Sequence, residues 1–374
     1  MANNLNNVMG KILARALKTL RQRTIMPRLV NNDYSTDAAK KGDVINVPIP
    51  VPIAATDVVP NNVAPLPADV SPGSVQITLN NWKEAAFALT DKDLNLIDAN
   101  ENFIPMEMDE AIKSLANSVN QDIFSQYKSV YGFVGTPGTT PFATDVTVAT
   151  QLRKVLNQQL VPRDERRAVL NFDAEANALA LAPFRDVSQS SDRGLIIEGE
   201  IGRKFGIDWY SDDFVPTHNA GTGTGYVVSG AQTAGTSNIP LITGTGTLVV
   251  GDIISFAGNT QTYAVTNGIS APGTVSIYPA LVAPVAANAA VTVRASHVVN
   301  MAFHRDAFAF AARPLAQSVA DLSLGNRIMT MVDPLSGIPL RLELSREFKQ
   351  TRWSLDILWG SKLVRPELAA RLAG

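Results

Sequence analysis

The chain has 374 residues, no cysteine, three histidines and a formal charge of −2 at pH 7, with 45% apolar and 18% charged side chains. That apolar content excludes a disordered chain and suits two or three domains with a substantial core, while the absence of cysteine excludes disulfides, thiolate metal sites and cysteine nucleophiles. There is no apolar run of the roughly 18 residues that a membrane helix needs, no signal-peptide pattern and no Asn-x-Ser/Thr sequon, so a reducing cytoplasm and no membrane partner are expected.

Residues 1–32 hold Lys11, Arg15, Lys18, Arg21, Arg23 and Arg28 and no acid, which leaves a body of net charge −8. An arm of one sign on a body of the other is suited to touching neighbours. Periodicity predicts an amphipathic helix over 8–24: Ile12, Leu13, Ala16, Leu17 and Leu20 form a stripe, with Lys11, Arg15 and Lys18 beside it. A solvated basic face and a docking arm fit this pattern equally well. With no aromatic side chains interleaved, contact with nucleic acid phosphates is a weaker reading.

Residues 42–79 read as extended. DVINVPIPVP and VQITL alternate, and seven prolines fall between Pro48 and Pro72. Proline removes ladder donors, so these strands belong at an edge or in a two-stranded arm that needs a partner surface. Residues 103–131 carry the strongest helical period, through Ile104, Met108, Ala111, Ile112, Leu115, Val119, Ile123, Tyr127 and Val130, and predict a rod of about 40 Å. Helices are expected at 148–160 and 174–181, with strand character in RRAVLNF between them, which implies an α/β unit.

Residues 214–293 are compositionally foreign: no Lys or Arg, one acid (Asp252), eleven glycines and thirteen threonines. Short β-runs (YVVSG, TLVVGDIISFAG, QTYAVTN, TVSIYPAL, AVTVRA) at the spacing of a small barrel predict an inserted β-domain. Beyond it, strands are expected near 327–332, 340–346 and 351–360 as a meander, with Trp353, Leu355, Ile357 and Trp359 on one face.

No motif carries chemistry. His304-Arg305-Asp306 matches a kinase catalytic loop, but the glycine loop, strand lysine and Asp-Phe-Gly are missing. His297 and His304 have no carboxylate at ligand spacing, so structural histidines are expected and no metal site. Gly221-x-Gly223-x-Gly225 runs into a strand and fails the dinucleotide spacing, Gly199-x-x-Gly202-x-x-x-Gly206 lacks the P-loop Lys-Ser/Thr, and Asp212-Asp213 reads as a solvated turn pair. No catalytic residue and no cofactor are expected.

Taken in order, the N-terminal arm, VINVPIPVPIAATDVVP leading into VQITLNNWKEAAFALTDKDL, the rod MEMDEAIKSLANSVNQDIFSQY, YGFVGTPGTTPF, SDRGLIIEGEIGRKFGIDWYSDDFVP, NMAFHRDAFAFAARPL and DILWGSKLVRPELAARL resemble tailed-bacteriophage major capsid proteins with the Hong Kong 97 fold. GDIISFAG and VSIYPAL match the short-tailed-phage branch, which carries an inserted β-barrel. The resemblance spans nearly the whole chain and rests on the order and number of matches.

It implies an α+β chain divided into an N-terminal arm (1–39), an extended loop (40–90), a peripheral domain with spine helix and meander (91–143 and 325–374), an axial domain (144–213 and 294–324) and the inserted domain (214–293). It also implies pentamers and hexamers closing into an icosahedral head around double-stranded DNA, met by non-specific proximity. A scaffolding protein, a portal and a decoration protein are the implied partners, and the virion the implied location. Assembly contacts are expected at Lys11, Arg15, Lys18, Arg21, Pro48, Pro50, Pro52 and Pro60, with the arm packing across the subunit boundary. Only Lys40 and Lys41 lie near the loop, so no lysine–asparagine crosslinking pair is identified and a non-crosslinked shell is expected. The alternatives are a cellular encapsulating compartment of the same fold and a ligand-binding protein using the β-domain, although the latter has no tryptophan and few tyrosines for a sugar platform.

Overall fold

The structure, a computed structural model, describes residues 13–14, 16–20, 24–32, 40–50, 53, 55, 73–92, 106–185, 201–316, 327–333 and 336–374. Residues 13–14 and 16–20 are helical, and Leu13, Ala16, Leu17 and Leu20 are buried in the main core of their own chain. Thr19 Oγ1 donates to Asp109 on the rod at 3.2 Å. The apolar stripe expected to pack across a subunit boundary is therefore satisfied within the chain, because the rod offers a complementary apolar face. Strands β1 (Val44–Ile49) and β2 (Gly73–Thr78) form a separate two-stranded antiparallel sheet, from Val44 opposite Thr78 to Ile49 opposite Gly73.

β3 (Asn81–Thr90) follows, then the rod α1 (Met106–Ser125). Met108, Ile112, Leu115, Ala116, Val119, Ile123 and Phe124 recur at three- and four-residue steps and all face the core. At 20 residues the helix is about 30 Å long, shorter than its sequence period suggests. It tightens into a 3-10 turn, Gln126–Ser129, and gives way to strand β4 (Gly132–Val134). The tail of the apolar period thus serves two different elements, which periodicity does not separate.

α2 (Thr147–Gln158), β5 (Arg166–Leu170) and α3 (Phe172–Ala180) come next. Asn171 caps α3, its side chain accepting from the Ala174 N–H at 3.3 Å. β6 (Gly202–Lys204), β7 (Ile207–Ser211) and β8 (Thr217–His218) lead to six strands: β9 (Thr224–Val228), β10 (Asn238–Thr245), β11 (Ile253–Phe256), β12 (Tyr263–Asn267), β13 (Gly273–Tyr278) and β14 (Val291–Val293). These run in the order β14-β11-β12-β13-β10-β9. A Val227–Ala290 bridge and the Val228 N–H to Ala289 carbonyl bond close the circle, so no long sheet edge is left open. Tyr226, Val228, Leu241, Phe256, Tyr263, Val265 and Ile277 fill a core of its own. β10 is a strand that the run pattern misses, because Pro240 and Gly244 interrupt it.

The last strands are β15 (His297–His304), β16 (Phe308–Arg313), β17 (Arg327–Val332), β18 (Pro339–Glu347), β19 (Gln350–Leu363) and β20 (Ala369–Ala373). One sheet is seven-stranded, β4-β20-β15-β5-β7-β6 with β8 beside β15. The other is five-stranded, β16-β19-β18-β17 with β3 beside β19. Sheet membership departs from the expected segments in three places. β3 leaves the loop segment to pair with β19 over ten residues, β4 and β20 join the sheet of the axial segment, and β16 joins the meander. β20 lacks alternation because every residue in it is buried.

Candidate assembly surfaces and the buried junction

The β1–β2 arm has two unlike faces. Ile45, Val47, Ile49, Val75 and Ile77 share one side, and Asn46, Pro48, Ser74, Gln76 and Thr78 the other, which is exposed. At the root, Ile45 and Ile77 are buried with Ala309, Ala311 and Leu358; further out, Val47, Ile49 and Val75 are only half-buried. The root needs Gly360 on β19: a Cβ there would lie 2.5 Å from the Thr78 carbonyl oxygen. Gly360→Ala is expected to destabilise the chain by about 1–3 kcal/mol and to unseat the arm, read as faster amide exchange in β1 and β2.

Of the expected contact residues, Lys18, Pro48 and Pro50 are described and all three are exposed. Lys11, Arg15, Arg21, Pro52 and Pro60 lie outside the described residues.

The barrel joins the body through a buried polar cluster. Arg371, on β20, is fully buried; its Nη1 donates to the Gly251 carbonyl at 2.7 Å, and its Nη2 to those of Tyr127 (3.0 Å) and Lys128 (3.1 Å). Its guanidinium sits 5.0 Å from the Tyr127 ring centroid. Asp252, also fully buried, accepts from His218 Nε2 at 2.8 Å, from the Val249 N–H at 2.8 Å and from the Gly221 N–H. With Nε2–H donating to Asp252, Nδ1 of His218 accepts the Tyr127 hydroxyl proton at 3.0 Å. Gly221 is glycine for space: a Cβ would collide with the Thr247 carbonyl. Nearby, Thr262 Oγ1 donates to the Tyr131 carbonyl, and Ile253 and Ala264 pack on Tyr131. Part of the uncharged barrel surface is thus covered by the chain's own body.

No curated protein matches the sequence. The family profile "P22 coat protein - gene protein 5" matches residues 1–374. The chain belongs to the P22 coat protein family. This coat protein is a major capsid protein, a structural component of the virion that builds the icosahedral head of a tailed phage. Its backbone is similar to that in "Capsid structure of the Cyanophage P-SCSP1u" (12% identity, TM-score 0.51, 94% of this chain and 88% of that one), a likeness that shows the Hong Kong 97 fold. A chain from Mycobacterium phage Che8 is also similar, with 13% identity, TM-score 0.49, and 93% and 90% coverage.

Electrostatically, burial pulls the Arg371 pKa down to about 9 against the attraction of Tyr127 and Asp252. Burial also pushes His297 down to about 4; its Nδ1–H donates to the Ala295 carbonyl and its ring meets Phe133 edge-on at 5.1 Å. Asp212 corrects the sequence reading: instead of a solvated turn residue it is 3% exposed, held by the Asn120 side chain at 3.3 Å and the Phe214 N–H at 2.8 Å, and burial raises it to about 6.

The two shifts act oppositely on stability. His297 is depressed below its model value of 6.5, so its contribution is present above pH 6.5 and is lost as pH falls towards 4. Asp212 is raised above 3.8, so its contribution is present below pH 3.8 and is lost as pH rises through 6. Each amounts to about 3 kcal/mol. Relative to the unsubstituted chain between pH 4 and 6, His297→Gln is expected to gain stability on acidification and Asp212→Asn to lose it. Urea titrations at stepped pH measure both slopes.

The sequence places His218 and His297 correctly as structural histidines beside the barrel. It misses Arg371, and the one available signal is a lone arginine in the otherwise apolar run AARLA.

Proposed function

We propose that copies of this chain form pentamers and hexamers that close around packaged double-stranded DNA, and that the β1–β2 arm reaches onto a neighbouring subunit to hold them. The observation that carries this reading is the arm's apolar row, which is buried at the root and progressively uncovered outward. Alternating apolar side chains on a two-stranded ribbon are left half-wet unless a second surface covers them. Pro48 and Pro50 stiffen the ribbon and lower the entropy lost on docking. The contact residues are then Pro48, Pro50, Pro52 and Pro60 on the loop, with the basic side chains Lys11, Arg15, Lys18 and Arg21 on the outer face of the arm helix.

The division of labour follows sheet membership: the five-stranded sheet and α1 form the periphery, the seven-stranded sheet the axial part, and residues 214–293 an inserted domain that braces its own subunit and contributes to contacts between capsomers. A scaffolding protein, a portal and a decoration protein are its partners, synthesis is in the bacterial host cytoplasm, and the role is structural and not catalytic. Many modest interfaces hold the shell, with arms multiplying contact area.

The test is co-expression with the scaffolding protein from the same genome, followed by negative-stain electron microscopy. Closed particles of uniform size support the reading, and monomers alone would overturn it. Mature particles boiled in detergent are expected to run as a single 40.0 kDa band; a covalent ladder would contradict the non-crosslinked shell.

A further inference from the structure

The meander sheet ends in a projecting tip where β18 turns into β19 through Glu347, Phe348, Lys349 and Gln350. Phe348 is 87% exposed at that tip, so its ring contributes almost nothing to the chain's own packing. Everything around the ring is tied down. Gln350 Nε2 donates to Glu347 at 2.6 Å, Arg346 pairs with Asp91 at 2.6 Å and donates to Thr351 Oγ1 at 3.0 Å, and the Asp91 N–H donates to the Lys349 carbonyl at 3.1 Å. One step behind, Arg352 pairs with Glu84 at 2.8 Å. Lys349 takes a left-handed φ of 55°, which turns the chain sharply and leaves the ring facing outward, with its ammonium 5.2 Å from the ring centroid.

An aromatic side chain held rigidly in water, with no function in the fold, has the form of an interface anchor whose ordering entropy is already spent. The flanking charges indicate what it meets. Glu347 and Lys349 stand on either side of Phe348, one of each sign, so the tip has no net charge with which to steer an acidic or a basic partner. A second copy of the same tip is different: brought together about a rotation axis, each acid faces the neighbour's base while the rings cluster between them, the self-complementarity that symmetric assembly requires.

We propose that the Phe348 tip is a contact between copies of this chain, ring against ring, with Glu347 of one copy opposite Lys349 of the next. The contact rests on the self-assembly reading above but is separate from the arm, which lies on another sheet.

The full chain, co-expressed with its scaffolding partner, provides the test, because unsubstituted chains must first give closed particles. If they do not, it is the assembly reading that fails. Given particles, Phe348→Ser is expected to lower their yield roughly tenfold at equal concentration, corresponding to about 1.4 kcal/mol per contact. The melting temperature of unassembled subunits is expected to stay unchanged, and Phe348→Tyr to assemble normally. Glu347→Lys and Lys349→Glu should each reduce the yield, and the double exchange should restore it. Phe348→Ser particles at full yield would overturn the proposal, as would a lowered subunit melting temperature, since the ring would then be serving the fold. Failure of the double exchange to rescue two defective single variants would overturn the reciprocal pairing.

Discussion

Asp252→Ala is expected to remove about 3–5 kcal/mol of stability, a large part of what holds an ordinary domain together. The carboxylate is fully buried and takes protons from His218, Val249 and Gly221, while its charge lies near the equally buried Arg371. Alanine leaves those donors without an acceptor and a guanidinium without its compensating charge, in a place water does not reach. All four tryptophans (Trp82, Trp209, Trp353 and Trp359) lie outside the barrel, so their fluorescence in a urea titration reports the body. A parallel shift of body and barrel transitions would mean that the junction couples them. A shift of less than 1 kcal/mol would show that the cluster is not charge-compensated through Asp252. The double variant Asp252→Ala/Arg371→Met is expected to recover part of the loss, because an apolar side chain replaces the stranded charge.

Trp359→Ala is the second substitution with a large effect, again about 3–5 kcal/mol. The indole is fully buried between β19 and α1, and its Nε1–H donates to Asp122 on the rod at 3.0 Å; Ser361 Oγ donates to the same carboxylate at 2.6 Å. Removing the ring opens a cavity and takes one of two donors from Asp122. Trp359→Phe keeps most of the volume and is expected to lose only about 1–2 kcal/mol. Amide exchange separates the two outcomes: α1 should lose protection strongly in the alanine variant and weakly in the phenylalanine variant. Equal protection in all three chains would mean that the rod is held to the sheet by other contacts. Because α1 and the five-stranded sheet together bear the arm root at Gly360, the alanine variant is also expected to yield fewer closed particles.

Much of the fold was legible in the residue order. The period through Met108, Ile112, Leu115, Val119 and Ile123 specifies a rod, and the alternation of Trp353, Leu355, Ile357 and Trp359 specifies a one-sided strand, because each is a local pattern with a single geometric solution. The uncharged stretch around Asp252 announces a separate β-domain for the same reason. Resemblance in the order of segments carried the capsid assignment further than any single motif could.

Pairing partners lay beyond that reach. AARLA reads as a helix-tolerant tail, and nothing near it says that β15 and β4 will flank it or that Arg371 will cross to Gly251 and Tyr127. Asp212 has the sequence neighbours of a turn residue, and its burial comes from Asn120, 92 positions away. The stripe of the arm helix is visible in sequence, but which molecule covers it is settled by the rod's matching face. By itself, then, the sequence determined the periodic elements, the foreign uncharged insert and the family. Only the tertiary structure decided which strands share a sheet, which charges are buried and which apolar surfaces remain for a neighbour, because those depend on residues far apart in the chain and on the water they jointly exclude.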